Sequence, residues 1–456
     1  MVIAMEKNLP RVLIAGTNSG CGKTTLVCGL LQALRRRGRK LCAFKCGPDY
    51  IDPMFHTTAL QTPCRNLDLQ FFDENTLRYL LARGSEGREL AVIEGVMGFY
   101  DGVGLTTRAS SYAVAKAAAA PVVLAVNAKG AAHSVLAVIA GFAGLHPDSG
   151  VQGVILNQCS AMLYPGLKQA IEETFGGQIK PLGYLPPMPD CVLESRHLGL
   201  ITAAEMADLQ EKLEKMGQQV EKTVDLDGLL TLANGAPALP YEIPALPEPG
   251  EPVRVAVARD KAFCFYYADN LRLLEELGAE IVPFSPLEDG VLPADIHGLY
   301  LGGGYPELYT EALAANVSMR SSIRRALEGG LPCIAECGGF LYLQETLLGA
   351  PMVGLFPGGG FNTGKLSRFG YVTLTAQKDN LLCRAGERLP AHEFHYYDVD
   401  NSGSDFLAQK PNGRSWPCGM AGETMYAGFP HFHFYACPQM AASFLDACRK
   451  EKMSHA

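Results

Sequence analysis

The sequence contains no stretch of about 18 residues without polar breaks, so no transmembrane helix is expected and no membrane partner follows from it. It also lacks any paired CxxC spacing. Its 14 cysteines therefore read as buried thiols plus a candidate nucleophile, not as a zinc site or a disulfide framework. The opening MVIAMEKNLPR is too short and too charged to serve as a secretory leader, which predicts a cytoplasmic chain. Basic charge is not in excess: the formal net charge is −8, which argues against broad nucleic-acid binding. The one dense basic run, Arg35 to Lys40, falls at a predicted helix end, where cations suit the dipole. Internal repeats and low-complexity segments are missing as well. What is present is length: 456 residues exceed one ordinary core, and the usual domain size of roughly 100 to 200 residues leads to a reading of two α/β domains. A homodimer is left open.

The first informative stretch is AGTNSGCGKTT, Ala15 to Thr25, between the apolar run Val12 to Ile14 and the helical pattern Leu26 to Leu34. A strand, a glycine-rich turn and a helix in that order form a phosphate cradle. Gly16, Gly20 and Gly22 allow the tight turn, Thr17, Asn18, Cys21 and Thr25 complete the loop, and Lys23 and the helix end neutralise charge. The hydroxyl of Thr24 is the expected magnesium ligand. The usual pattern has its first glycine where Thr17 stands, so this is a variant longer by one residue.

Four further short apolar runs come next, Lys40 to Lys45, Leu90 to Ile93, Pro121 to Val126 and Gly153 to Leu156, separated by helical patterns. They read as buried parallel strands with helices on both faces. Ligands of such sheets bind beyond the carboxyl ends of the strands, which directs attention to the residues just after each run. FKCGPDYIDP places Lys45, Asp49, Tyr50 and Asp52 there, and IEGVMGFYDG places Glu94 and Asp101. Lys45 suits a transferred phosphoryl group. Carboxylates beside a triphosphate require a cation, so Asp49 and Glu94 are read as magnesium ligands with Thr24. Asn157 ends the fifth strand, where its amide could pair with an adenine edge or simply belong to a loop.

The stretch GAPALPYEIPALPEPGEP, residues 235 to 252, carries six prolines and no hydrophobic period, and reads as a linker between domains 1–234 and 253–456. Beyond it the alternation restarts with Val253 to Ala258, a helix over Ala268 to Leu277, Ile281 to Phe284, Gly298 to Leu301, a helix within Tyr309 to Leu327, and Pro332 to Ala335. The last run turns through Glu336, Cys337, Gly338 and Gly339 into a helix, the pattern of a nucleophile elbow with cysteine. The helix start offers backbone N–H groups, including that of Gly338, to an oxyanion, and GGGYPE supplies a second donor near Gly303 or Gly304. Near the end, GFPHFHF carries His431 and His433 on one side of an extended segment, one of them a base and the other its orienter.

Taken in order, GTNSGCGKTT, FKCGPDYID, RNLD, IEGVMGFYDG, RHLGL, FCFYYADNL, LGGGYPELY, AECGG, FGY, HEFHYYD and HFHF span nearly the whole chain. They resemble the cobyrinate a,c-diamide synthase family, a dethiobiotin-synthetase-like ATP-binding domain followed by a class I glutamine amidotransferase domain. The resemblance implies ATP- and magnesium-dependent amidation of the a and c acetates of cobyrinate, with L-glutamine as nitrogen donor, in cobalamin biosynthesis. It implies that Cys337 is the glutaminase nucleophile, that His431 is its base, and that Asn157 touches adenine. Class I glutaminases commonly have a glutamate two residues after the base. Here His433 stands there, and it is read as the orienter. Related tetrapyrrole acids, hydrogenobyrinate and nickel-sirohydrochlorin, are alternative substrates. A partitioning-type ATPase is a distant rival, opposed because Thr17, Asn18 and Ser19 offer none of the additional early lysine such loops use.

Overall fold

A computed structural model describes residues 4–191 and 203–454. The chain divides into two compact units, Met1–Pro244 and Ala245–Ala456. In the first, the strands are β1 (Ala4–Lys7), β2 (Arg11–Gly16), β3 (Leu41–Cys46), β4 (Cys64–Leu67), β5 (Leu90–Glu94), β6 (Val122–Asn127), β7 (Val151–Asn157), β8 (Lys180–Leu185) and β9 (Leu239–Glu242). Seven of these form one sheet in the order β4-β3-β5-β2-β6-β7-β8, and every pairing in it is parallel. β2, β3 and β5 are buried at every position, as a strand covered on both faces must be, and this is why they appear in the sequence as unbroken apolar runs. Helices α1 (Lys23–Arg36), α2 (Ile51–Thr58), α3 (Glu74–Gly84), α4 (Ser111–Ala117), α5 (Ser134–Gly144), α6 (Tyr164–Phe175), α7 (Ala203–Thr223) and α8 (Leu226–Asn234) connect the strands or follow them. The motif RHLGL, Arg196 to Leu200, lies outside the described residues.

The proline-rich stretch expected to be linker contributes a strand. Its residues Leu239–Glu242 pair antiparallel with Ala4–Lys7 as a separate two-stranded ribbon. Pro240 is tolerated because this ribbon is all edge. Arg11 ties the same stretch to the sheet: fully buried, it donates through Nε to the Ala118 carbonyl (2.6 Å) and through its terminal nitrogens to Leu9 (2.9 Å), Ala119 (3.1 Å) and Pro237 (2.8 Å).

In the second unit, β10 (Val253–Ala258), β12 (Ala279–Phe284), β13 (Gly298–Leu301) and β15 (Cys333–Glu336) form a parallel sheet in the order β12-β10-β13-β15, extended by strands Met425–Gly428 and Met420–Ala421. The short strands β11 (Phe263–Phe265) and β14 (Gly303–Gly304) pair beside it. Helix α9 (Ala268–Glu276) precedes β12. The single helix expected within Tyr309 to Leu327 is two, α10 (Thr310–Ala315) and α11 (Val317–Glu328). Asn316 separates them because its side chain accepts from the Met319 N–H and starts the second. A short helix, α12 (Gly338–Tyr342), follows β15, and two four-stranded sheets occupy residues 344 to 418. Among the described residues no helix is long and apolar enough to cross a membrane.

Candidate active sites

Strand β2 delivers Gly16 to the loop, and α1 begins at Lys23, so the first-turn N–H groups open where a phosphate would sit. Gly20 (φ 79°) and Gly22 (φ 87°) adopt left-handed backbone, open to glycine at little cost. A side chain on Gly22 would also run into Asn157, which is buried beneath the loop and donates from Nδ2 to the Cys21 carbonyl at 2.8 Å. The amide expected at an adenine edge thus also braces the loop, through one of its two N–H groups. Thr17, half-buried, and Asn18, exposed, are bonded locally, Thr17 Oγ1 to Asn18 Oδ1 (2.9 Å) and Asn18 Nδ2 to the Ser19 carbonyl (2.7 Å), while Thr25 lies in the first turn of α1.

The carboxyl ends of β3 and β5 bring an ionic cluster to this loop. Thr24 Oγ1 donates to Glu94 Oε1 at 2.7 Å, and Lys45 Nζ lies 2.9 Å from the same oxygen, 2.5 Å from Asp52 Oδ2 and 4.0 Å from Asp49 Oδ2. Burial alone would depress the Lys45 ammonium, but Glu94, Asp52 and Asp49 outweigh it and hold the pKa above lysine's ordinary value. Burial would likewise raise Glu94, yet the Lys45 charge and hydrogen bonds from His56 and Thr24 drive it well below the usual carboxylate range. Glu94 is therefore a fully buried anion. Lys23 Nζ donates to the carbonyl of Met97 (2.9 Å), a residue at φ 47°, and burial lowers its pKa. Asp49 Oδ1 accepts from the N–H groups of Ile51 (2.8 Å) and Asp52 (3.2 Å), and Tyr50 immediately precedes α2. Asp101 accepts from the Gly98 N–H at 2.9 Å and shapes the turn after β5.

Two residues in this cluster escaped sequence reasoning. His56, on α2, places Nε2 2.8 Å from Glu94 Oε2, and Asn66, on β4, donates to the carbonyls of Gly47 (2.9 Å) and Asp49 (2.7 Å), fixing the acidic loop. Asn66 lies inside the motif RNLD, which carried a resemblance but no role. For a magnesium ion the donor set is suitable in kind: a threonine hydroxyl and an ionised carboxylate are hard oxygen ligands, here 2.7 Å apart. Among the described residues no group of three or more His, Cys, Asp or Glu forms a metal set, so such an ion would draw its remaining ligands from phosphate and water. Asp49 joins this pair only by way of Lys45.

In the second unit, Cys337 occupies the junction of β15 and α12 at φ 48°, ψ −98°, a region seldom adopted by a residue with a side chain. Its N–H donates to the Gly428 carbonyl (2.7 Å) and its carbonyl accepts from Leu341 N (2.9 Å), so both neighbouring elements hold the strain. A Cβ on Gly338 would lie 3.0 Å from the Gly304 nitrogen, and one on Gly303 would lie 2.7 Å from His431 Cε1. Gly303, Gly304, Gly338 and His431 are thus gathered around the cysteine.

At the far nitrogen of His431, where His433 is the expected orienter, the structure has a carboxylate. His431 Nδ1 lies 3.2 Å from Oε2 of Glu336, the residue before the cysteine. Glu336 also accepts from the Tyr300 hydroxyl (3.2 Å) and from the Phe432 N–H (3.2 Å). It reaches His431 because β15 pairs with Met425–Gly428, Glu336 opposite Gly428, just before the histidine segment. Burial pulls His431 down, but hydrogen bonds to Cys337 and Glu336 more than reverse this and raise it to about 10. His433 instead packs fully buried against Tyr267 (ring centroids 4.8 Å apart), and burial lowers it to about 3. The adjacency of Glu336 to the nucleophile was the signal available in the sequence.

Residues 12–200 match the CobQ/CobB/MinD/ParA nucleotide binding domain, and residues 254–437 match the CobB/CobQ-like glutamine amidotransferase domain. The chain is 38% identical to the cobyrinate a,c-diamide synthase of Priestia megaterium, covering 97% of this chain and 98% of that protein. Its identity to the enzyme of the same name from Dehalococcoides mccartyi strain CBDB1 is 39%, covering 96% and 98%. The counterpart in Methanothermobacter thermautotrophicus is 39% identical, covering 95% and 98%. With such relatives aligned from end to end, the chain belongs to the cobyrinate a,c-diamide synthase family.

Proposed function

We propose that this protein uses ATP and glutamine to amidate the a and c acetate carboxylates of cobyrinate in cobalamin biosynthesis, and that it works in the cytoplasm. One observation carries the reading: a single chain holds both a phosphate loop facing a buried Lys45–Glu94–Asp52 cluster and a strained Cys337 hydrogen-bonded through His431 to Glu336. A carboxylate is a poor acyl donor because its leaving group would be oxide. In the first unit its oxygen attacks the γ-phosphorus of ATP, ADP leaves, and an acyl phosphate results. Lys23 and Lys45 stabilise the charge on the transferred phosphoryl group. Thr24 and Glu94 would hold magnesium, which supplies charge neutralisation at the phosphates, while Asp49 reaches this pair only through Lys45. Asp52 keeps Lys45 aligned.

In the second unit the Cys337 sulfur attacks the side-chain amide carbon of glutamine. Backbone N–H groups near Gly338 and Gly303–Gly304 receive the oxyanion, and His431 passes a proton to the departing ammonia, leaving a thioester that water hydrolyses. Ammonia then displaces phosphate from the acyl phosphate. The test is incubation of the protein with ATP, magnesium and glutamine against cobyrinate, hydrogenobyrinate and nickel-sirohydrochlorin, with mass spectrometry counting amidations. Two amidations of cobyrinate are expected. ATP hydrolysis without amidation of any acid would overturn the reading.

A further inference from the structure

His56 is fully buried on α2, and among the described residues its Nδ1 has no hydrogen-bond partner. Its Nε2 lies 2.8 Å from Glu94 Oε2. An ionised carboxylate only accepts, so the imidazole proton on Nε2 is the one donated, whatever the state of the other nitrogen. Leaving a buried nitrogen unpaired is unfavourable, and an apolar residue would fill the same space without it. The single donated bond is therefore what distinguishes His56 from a packing residue.

That bond has a specific geometric result. Glu94 Oε2 is taken by His56, while Oε1 accepts from Thr24 (2.7 Å) and Lys45 (2.9 Å). The terminal torsion of a glutamate is broad, so a carboxylate held at one oxygen alone can turn about it. Held at both, its plane is fixed with Oε1 toward the Thr24 hydroxyl. We infer that His56 is a positioning residue for the synthetase reaction, holding Glu94 in the orientation in which Oε1 and Thr24 Oγ1 present adjacent ligands to the nucleotide-bound divalent cation. This rests on the proposed role of Glu94 as a cation ligand. Partners of this kind, one bond behind a ligand, commonly change metal affinity when removed.

The experiment uses the full chain with a non-hydrolysable ATP analogue and Mn²⁺, read as free Mn²⁺ by electron paramagnetic resonance. Two polar substitutions divide the outcome. In His56→Gln the amide nitrogen falls near the position of Nε2 and can still donate to Glu94. In His56→Asn it falls near Nδ1 and cannot reach. The asparagine variant is expected to bind Mn²⁺ in the nucleotide complex roughly 10- to 100-fold more weakly than wild type, and the glutamine variant to retain most of the affinity. Binding of the analogue without metal should be alike in all three. Equal Mn²⁺ affinity in the glutamine and asparagine variants would overturn the inference. Glu94→Gln separates it from the reading beneath: if that variant binds Mn²⁺ as wild type does, the cation-ligand role itself falls, whereas weakening there with none in His56→Asn removes only the role of His56.

Discussion

The imidazole of His431 is paired through Nδ1 with Oε2 of Glu336, 3.2 Å away, and Glu336 is the residue directly before the elbow cysteine. A carboxylate on the far nitrogen fixes the tautomer of the base and stabilises its imidazolium. Glu336→Gln should therefore lower glutamine-dependent turnover by about two to four orders of magnitude and spare amidation supported by ammonium salts. The sign of its pH effect comes from the raised value of His431. The Cys337 contact remains in the variant, but without the carboxylate the value falls below about 10, so the alkaline limb of glutaminase kcat/KM should move to lower pH. His433→Ala, at a ring packed on Tyr267, should cost less than Glu336→Gln in turnover and show itself mainly in stability. A larger catalytic loss at His433 would return the orienting role to it.

Why the sequence led to His433 and not Glu336 is a matter of register. Spacing along one segment can be read from the chain, but the approach of Glu336 to His431 depends on β15 lying beside Met425–Gly428, a pairing across about ninety residues of sequence. The strands that position the sites were legible because parallel strands covered on both faces are continuous apolar runs: β2, β3 and β5 fall within a residue or two of their expected bounds. The edge strands were not. Cys64–Leu67 and Lys180–Leu185 bracket the sheet and carry Arg65, Asn66, Lys180 and Pro181, so no apolar run marks them. His56 was invisible for a related reason, since nothing local ties it to Glu94.

Cys337→Ala should abolish the use of glutamine while leaving ammonia-dependent amidation intact. The phosphate loop and its ionic cluster lie in the other compact unit and need only the product of the cysteine's chemistry. Steady-state rates with glutamine and with ammonium chloride at raised pH provide the measurement. If the variant is folded and ammonia still fails, the division of labour between the units is wrong.

Lys45 sits among three carboxylates, and Lys45→Met would leave Glu94 and Asp52 buried without their cation. Removing one partner of a buried pair costs on the order of 3 to 5 kcal/mol. In the wild type, Glu94 is depressed, so its contribution is present above about pH 4.3 and lost as pH falls through the folded value. In the variant Glu94 loses the charge that depresses it most and its pKa rises, so stability should recover as pH falls from 7 to 5. Denaturant unfolding at both pH values tests this: a deficit that grows on acidification would contradict the arrangement.

The amide of Asn157 separates two uses by their dependence on the base. If its main task is to hold the Cys21 carbonyl at 2.8 Å, Asn157→Ala loosens the phosphate loop and leaves a buried acceptor without its partner. Such a loss is worth about 1 to 3 kcal/mol, enough to raise the KM for ATP by roughly tenfold or more. Because the loop meets phosphates and not the base, GTP and inorganic triphosphate should lose affinity by the same factor as ATP. If the side chain instead reads adenine, ATP alone should suffer, and the preference for ATP over GTP should shrink. Binding of the three ligands to wild type and variant, measured by calorimetry, discriminates these outcomes. The position of Gly22 favours the first: it packs directly against Asn157, so moving that amide displaces the residue immediately before Lys23.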